Sequence, residues 1–334
     1  MTIERNEKLE GSLLEKMSSV DLKKTDNWNK AMILNSAAKV YFATKNEKFG
    51  EFLVKGIDKC CDCGIEEGFA GNDNDLTNLL LANVLYAAKD YTGKDEYEKA
   101  AIKMAAQLNS QKRSEKGYFT DVDGKACLCQ TYASQVFYMN YETILGGKER
   151  YNDIIAQFNN LHADTYKKVS DKLTGSLNEA GLYNTQEYAA IVNYICALID
   201  TMEVMAQPLY EIYDALKRYF KVGVKDILAL QKTSVQEKHI CSDGTCILTK
   251  EAVSAAELYE VYAILKGCRM KALHTEKYEN AQLETLNATI SKACNSFDSL
   301  DNDYITALVM AYGESLRNRE YQDYGRDNGG VLWN

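Results

Sequence analysis

Apolar residues recur at i, i+3 and i+4 through most of the chain, the spacing that gathers them on one face of a helix. This periodicity predicts helices over 7–18, 29–44, 47–61, 75–91, 95–109 and 128–145. A second set is expected over 149–166, 186–203, 208–232, 250–268, 276–296 and 301–316. The links between them alternate. Short ones fall at Lys45-Asn46, Thr92-Gly93-Lys94, Gly146-Gly147-Lys148 and His274-Thr275, and long ones at 62–74, 110–127, 167–185 and 233–249. Short links make antiparallel hairpins, and long ones carry the chain to the next hairpin. In a ring of hairpins every long loop would emerge on one face, where binding sites gather.

The second helix of a hairpin opens in a recurring way: Asn46-Glu47-Lys48-Phe49, Lys94-Asp95-Glu96-Tyr97, Lys148-Glu149-Arg150-Tyr151 and Thr275-Glu276-Lys277-Tyr278. Charged residues precede an aromatic that can pack under the turn. The first three openings lie about 50 residues apart, a period that suggests an array of helix pairs. The expected fold class is therefore all-α, an (α/α)6 toroid of about six helical hairpins. No linker or composition shift divides it, so residues 1–334 are expected to form one domain.

Composition agrees with long helices. Proline occurs once, at Pro208, and 46% of the residues are apolar. The net charge of −9, without a long basic tract, argues against nucleic acid as a partner, because phosphate contacts need clustered Lys and Arg. The charged N-terminus lacks the apolar core of a signal peptide, and no apolar run is long enough to span a bilayer. A cytoplasmic protein with no membrane partner is expected; the oligomeric state is left open. The ten cysteines then read as reduced thiols. Cys60-Cys61-Asp62-Cys63, Cys127-Leu128-Cys129 and the Cys241 and Cys246 pair lack the regular spacing of zinc knuckles. No metal or cofactor is expected.

Several stretches resemble the unsaturated glucuronyl and rhamnogalacturonyl hydrolases, glycosidases built on six helical hairpins. Trp28-Asn29 with the AMILNSAAKVYFATKNEKF that follows resembles the family's opening tryptophan and first hairpin. NLLLANVLYAAKDYTGKDEYEKAA resembles the second, and residues 128–158 the catalytic helix and its successor. Residues 255–270 resemble a late family helix, and Asp327-Asn328-Gly329-Gly330-Val331 the closing glycine-rich segment. The order of these segments along most of the chain carries more weight than any one of them.

The resemblance implies hydration of the C4–C5 double bond of a terminal unsaturated uronic acid, a vinyl ether. A carboxyl with a raised pKa suits the proton transfer to carbon and the activation of water. Trp28 would stack on a sugar ring, or merely anchor a helix start. Asp75 lies near the family's first important aspartate, and its plain alternative is a helix N-cap. Cys129 stands where the catalytic aspartate belongs, ahead of Gln130-Thr131-Tyr132, with Tyr132 in a substrate-binding position. A thiol, with a pKa near ~8.5 against ~3.9 for aspartate, is a poorer acid. The family's histidine maps to Asn178 or Glu179. Its arginine-bearing helix start maps to 184–188, so that Gln186 and Glu187 take the places facing the substrate. Without arginine there, a neutral or cationic ligand fits better than a uronate. Asp121 and Asp123 are alternative carboxylates, or a solvated turn. The expectation is a divergent glycoside hydrolase acting on an oligosaccharide in a cleft on the long-loop face. The alternative is an inactive member that binds sugar or protein, and a third possibility is an unrelated toroid.

Overall fold

A computed structural model describes residues 2–61, 64–176, 185–206, 209–233, 254–294, 297 and 300–317. In chain order its helices are α1 (Glu7–Ser18), α2 (Asn27–Thr44), α3 (Glu47–Cys60), α4 (Thr77–Ala82), α5 (Val84–Thr92), α6 (Asp95–Met104), α7 (Gln107–Ser110) and α8 (Leu128–Ile144). They continue as α9 (Tyr151–Leu161), α10 (Lys167–Gly175), α11 (Thr185–Glu203), α12 (Tyr210–Thr233), α13 (Ala255–Arg269), α14 (Thr275–Ala293) and α15 (Asn302–Ser315). Among the described residues there is no strand, only an isolated bridge between Arg113 and Phe119.

The helices are of two kinds. In α3 the buried side is Phe49, Gly50, Leu53, Gly56 and Ile57, a one-sided stripe that leaves Glu51 and Lys55 outside to pair across one turn at 2.9 Å. In α13 every residue from Leu258 to Arg269 is buried, and in α15 every residue from Ile305 to Ser315. A helix covered all round belongs inside a layer of others. Such helices form a closed inner ring: α2 packs on α4, α4 on α8, α8 on α11, α11 on α13, α13 on α15, and α15 on α2 again. The one-sided helices α3, α6, α9, α12, α14 and α1 each lie outside an inner partner. The architecture is the (α/α)6 toroid that the alternating links predict.

The closing seam depends on one small residue. A Cβ on Gly313 would stand 3.0 Å from the Val40 backbone nitrogen and 3.1 Å from the Lys39 carbonyl carbon, so only glycine lets α15 approach α2 this closely. The sixth hairpin joins the two ends of the chain, with the Asn6 backbone N–H donating to the Tyr312 hydroxyl at 2.9 Å.

Three predicted elements differ. The helix expected over 95–109 is divided into α6 and α7 at Ala105-Ala106. The helix expected over 75–91 is interrupted at Asn83, whose Oδ1 accepts from Asn140 Nδ2 at 2.8 Å. The helix expected to end at 166 instead runs through a wider π-turn, His162–Tyr166, into α10, where buried Leu173 gives the extension something to hold. The segment 167–185 is thus not a loop throughout.

The middle of the ring is ionic. Lys266, 0% exposed, donates to Asp200 Oδ1 at 2.5 Å and also pairs with Glu203. Arg269 reaches Glu203 at 2.7 Å and Glu314 at 2.5 Å. Burial pushes the Asp200 and Glu203 carboxyls up, but Lys266, with Lys39 and Arg269 nearby, outweighs it and holds both below the usual carboxylate range. Burial likewise pulls Lys266 down, and the two carboxylates more than restore it.

Candidate functional site

Each inner helix starts where a long connection delivers it, and several starts are capped by their own side chains. Asp26 accepts from the Asn29 N–H at 2.9 Å, Asp301 from the Tyr304 N–H at 2.7 Å, and Ser254 forms a capping box with Glu257. Residues from the first three turns of α2, α8, α11, α13 and α15 then meet around an open cleft of about 260 Å³. It is lined by Trp28, Cys129, Ala189, Val192, Asn193, Ala256, Tyr259 and Asp303.

Trp28 and Cys129, far apart in sequence, share this wall. The half-buried Trp28 ring leans on Tyr132, centroids 6.2 Å apart. Tyr132 is 2% exposed and donates to Asp200 Oδ2 at 3.1 Å. It therefore supports Trp28 from below and ties it to the ionic centre, rather than facing the cleft as the resemblance implied. Gln186 is exposed one turn nearer the loops, on the helix face that carries Ala189 and Asn193. Glu187 does not share that face, and its Oε2 is buried without a hydrogen-bond partner among the described residues. Asn178 and Glu179 lie outside the described residues, as does the glycine-rich segment 327–331.

Two expectations need correction. Cys129 is not a free thiol: its sulfur is bonded to Cys127, whose Cα lies 5.5 Å away across the entry into α8, a span a disulfide bridges readily. So bonded, it has no proton to donate and no thiolate. The expectation of uniformly reduced cysteines fails here, although Cys196 and Cys294 are free thiols. Asp75 does not line the cleft. Its Oδ1 accepts from the Thr77 N–H at 2.9 Å and the Thr77 hydroxyl at 2.6 Å, the capping role. Asp121 makes the turn that was its alternative, accepting from the N–H groups of Asp123 at 3.0 Å and Lys125 at 3.1 Å.

Sequence reasoning passed over Asn193, Tyr259 and Asp303. Tyr259, buried on α13, donates to Asp303 Oδ1 at 3.1 Å. Burial pushes the Asp303 carboxyl up, the Tyr259 hydrogen bond opposes this, and Asp301 adds to the rise. The signal was available in the alternating links, because a ring of hairpins gathers the starts of its inner helices on one face. The wall as a whole combines an indole face, an amide and a carboxyl, which can stack on a ring, hydrogen-bond its hydroxyls and exchange a proton. Among the described residues no group of three or more His, Cys, Asp or Glu is placed to hold a metal ion. No helix there is long and apolar enough to cross a membrane.

A closed ring of six helical hairpins with an aromatic-walled cleft at its loop end defines the class, an (α/α)6 toroid of the glycosidase kind. The chain belongs to glycosyl hydrolase family 88, whose sequence profile matches residues 3–326. In fold it is similar to a glycoside hydrolase from family 105 of C. acetobutylicum ATCC 824, with a TM-score of 0.70 at 19% identity, covering 93% of this chain and 99% of that one. It is also similar to a glycosyl hydrolase family 88 protein from Bacteroides vulgatus, with a TM-score of 0.54 at 12% identity, covering 94% and 99%. No curated protein matches the chain in sequence.

Proposed function

We propose that this protein is a glycoside hydrolase of the unsaturated uronyl hydrolase type, taking the terminal sugar of an oligosaccharide into the cleft beside Trp28. The whole chain acts as one domain in this reading, with the toroid as scaffold. The observation that carries it is the meeting of Trp28, Asn193, Tyr259 and Asp303, from four inner helices, around one open cleft of about 260 Å³. That volume is just below the ~300–1,000 Å³ of clefts that engulf a drug-sized ligand. It suits one terminal sugar with the rest of the chain in solvent. The indole offers the stacking face, and the Asn193 amide can hydrogen-bond the hydroxyls of the ring.

A second reading has one observation in its favour. The position that resembles the family's catalytic aspartate holds Cys129, and its sulfur is bound to Cys127. A member without its acid would bind the sugar and not turn it over. Incubation with unsaturated uronyl disaccharides separates the readings, since hydration removes the ultraviolet absorbance of the double bond. Falling absorbance supports the hydrolase. Constant absorbance with a ligand-dependent rise in melting temperature supports the binder. Neither effect with any disaccharide defeats both.

A further inference from the structure

Among the described residues lining the cleft, Asp303 is the one carboxyl. Its Oδ1 is taken by the Tyr259 hydroxyl at 3.1 Å, and its Oδ2 has no hydrogen-bond partner among those residues. Tyr259 is itself buried and fixed in α13, so the carboxyl is tethered through one oxygen and available through the other. Asn193 on α11 and Trp28 on α2 belong to the same wall. A disulfide sulfur at position 129 cannot supply a proton, and Asp75 is occupied in capping. On the reading that the cleft hydrates a terminal unsaturated uronyl ring, we propose that Asp303 is the proton donor and return base, with Tyr259 as the residue that positions it.

The step balances with one water. The Asp303 proton passes to C4, where the C4–C5 π pair forms the new C–H bond, and the ring oxygen stabilises the cationic character left at C5. A water oxygen bonds to C5, and its proton returns to the Asp303 carboxylate. The resulting hemiketal opens by breaking its bond from C5 to the ring oxygen. C1 then expels the neighbouring sugar as an alcohol, and nothing is oxidised or reduced. The groups that set the proton affinity of Asp303 are its own burial, Tyr259 from α13 and Asp301 at the start of α15. Trp28 from α2, the bonded Cys129 from α8 and Asn193 from α11 bring no charge. Burial and Asp301 favour the protonated acid at rest, and the Tyr259 hydrogen bond favours the carboxylate that forms in the step.

The test compares wild type, Asp303→Asn and Tyr259→Phe on an unsaturated uronyl disaccharide, with binding of the saturated disaccharide measured by calorimetry. Asp303→Asn is expected to lower kcat by about 10²–10⁴-fold, with Kd for the saturated sugar kept within about threefold. Tyr259→Phe removes a hydrogen bond to the ionised form. It is expected to move the high-pH limb of kcat upward by about half a unit to one unit, a change that loss of packing alone does not produce. An active wild type with an equally active Asp303→Asn overturns the assignment and leaves the hydrolase reading intact. An unmoved high-pH limb in Tyr259→Phe overturns the pairing. A wild type that binds the saturated sugar but turns over no unsaturated one overturns the hydrolase reading, and the assignment with it.

Discussion

Replacing Lys266 with methionine keeps the length of a fully buried side chain and removes its charge. Lys266 holds Asp200 at 2.5 Å and pairs with Glu203, and it accepts no help from solvent at 0% exposure. Removing one partner of a buried ion pair costs about 3–5 kcal/mol, because the other charge stays behind in a poorly polarisable interior. Here the lower end applies. Asp200 keeps the hydroxyls of Tyr262 at 2.6 Å and Tyr132 at 3.1 Å, and Glu203 keeps Arg269 at 2.7 Å. For a chain of this length, with an unfolding entropy of about 2.1 cal/mol/K per residue, the loss lowers Tm by roughly 4–5 °C. The sign of the pH dependence follows from the carboxyls. In the wild type Asp200 titrates below its unfolded value, so its stabilisation is present above that value and fades as pH falls through the folded one. In the variant, burial without Lys266 lifts Asp200 above its unfolded value, and protonation relieves the penalty. The gap between the two proteins therefore narrows as pH falls from 7 towards 4. Adding Asp200→Asn should restore part of the loss at pH 7. Scanning calorimetry across that range checks the argument. A Lys266→Met protein with wild-type Tm at pH 7, or a deficit that stays constant down to pH 4, refutes it.

Gly313→Val should destabilise the protein by about 1–3 kcal/mol, because the new side chain must push α15 off the α2 backbone; denaturant melts followed by circular dichroism measure it. His162, stacked between Tyr166 and Tyr219 at 4.5 Å and 4.0 Å, has its pKa pulled by burial to about 4, with Asp226 opposing. Its contribution to stability is present above pH ~6.5 and is lost as pH falls towards 4. After discounting for partial exposure this amounts to roughly 1–2 kcal/mol, and His162→Gln should remove that part of the acid slope in Tm. Alkylation of the folded protein without reductant should leave Cys127 and Cys129 unlabelled, and labelling after reduction should reach both, as peptide mass analysis shows. Opening so short a loop should cost about 1–2 kcal/mol.

The toroid was legible because two independent patterns agree. Helical periodicity supplies the elements, and the alternation of short and long links fixes which ones return and which advance. What this pattern could not show is where an inner helix breaks. At the interruption Asn83 accepts a hydrogen bond from Asn140 on a different helix, a partner that no local residue announces. The continuation into α10 similarly depends on a burial site for Leu173 that neighbouring helices provide. At the site, the tryptophan segment and the Gln130-Thr131-Tyr132 run led to Trp28 and Cys129, which do meet. Tyr132 was assigned to the substrate because spacing along α8 does not reveal that it turns inward to Asp200. The Cys127–Cys129 bond runs against the expectation of reduced thiols, which rested on the cytoplasmic reading rather than on the position of this pair at a helix entry. Asp303 reads locally as one more acid at a helix start. Its role as a cleft carboxyl emerges only when ring closure sets α15 between α13 and α2.

The account stands on the mouth of the ring as the sugar site. A crystal structure of the protein with a saturated uronyl disaccharide, which lacks the reactive double bond, tests this most directly. The account predicts the terminal ring lying against the indole of Trp28, with its C4–C5 edge towards Asp303 and the second sugar leaving towards the loops. A disaccharide seated on the outer helices, or a cleft left empty while the ligand is bound elsewhere, would contradict it.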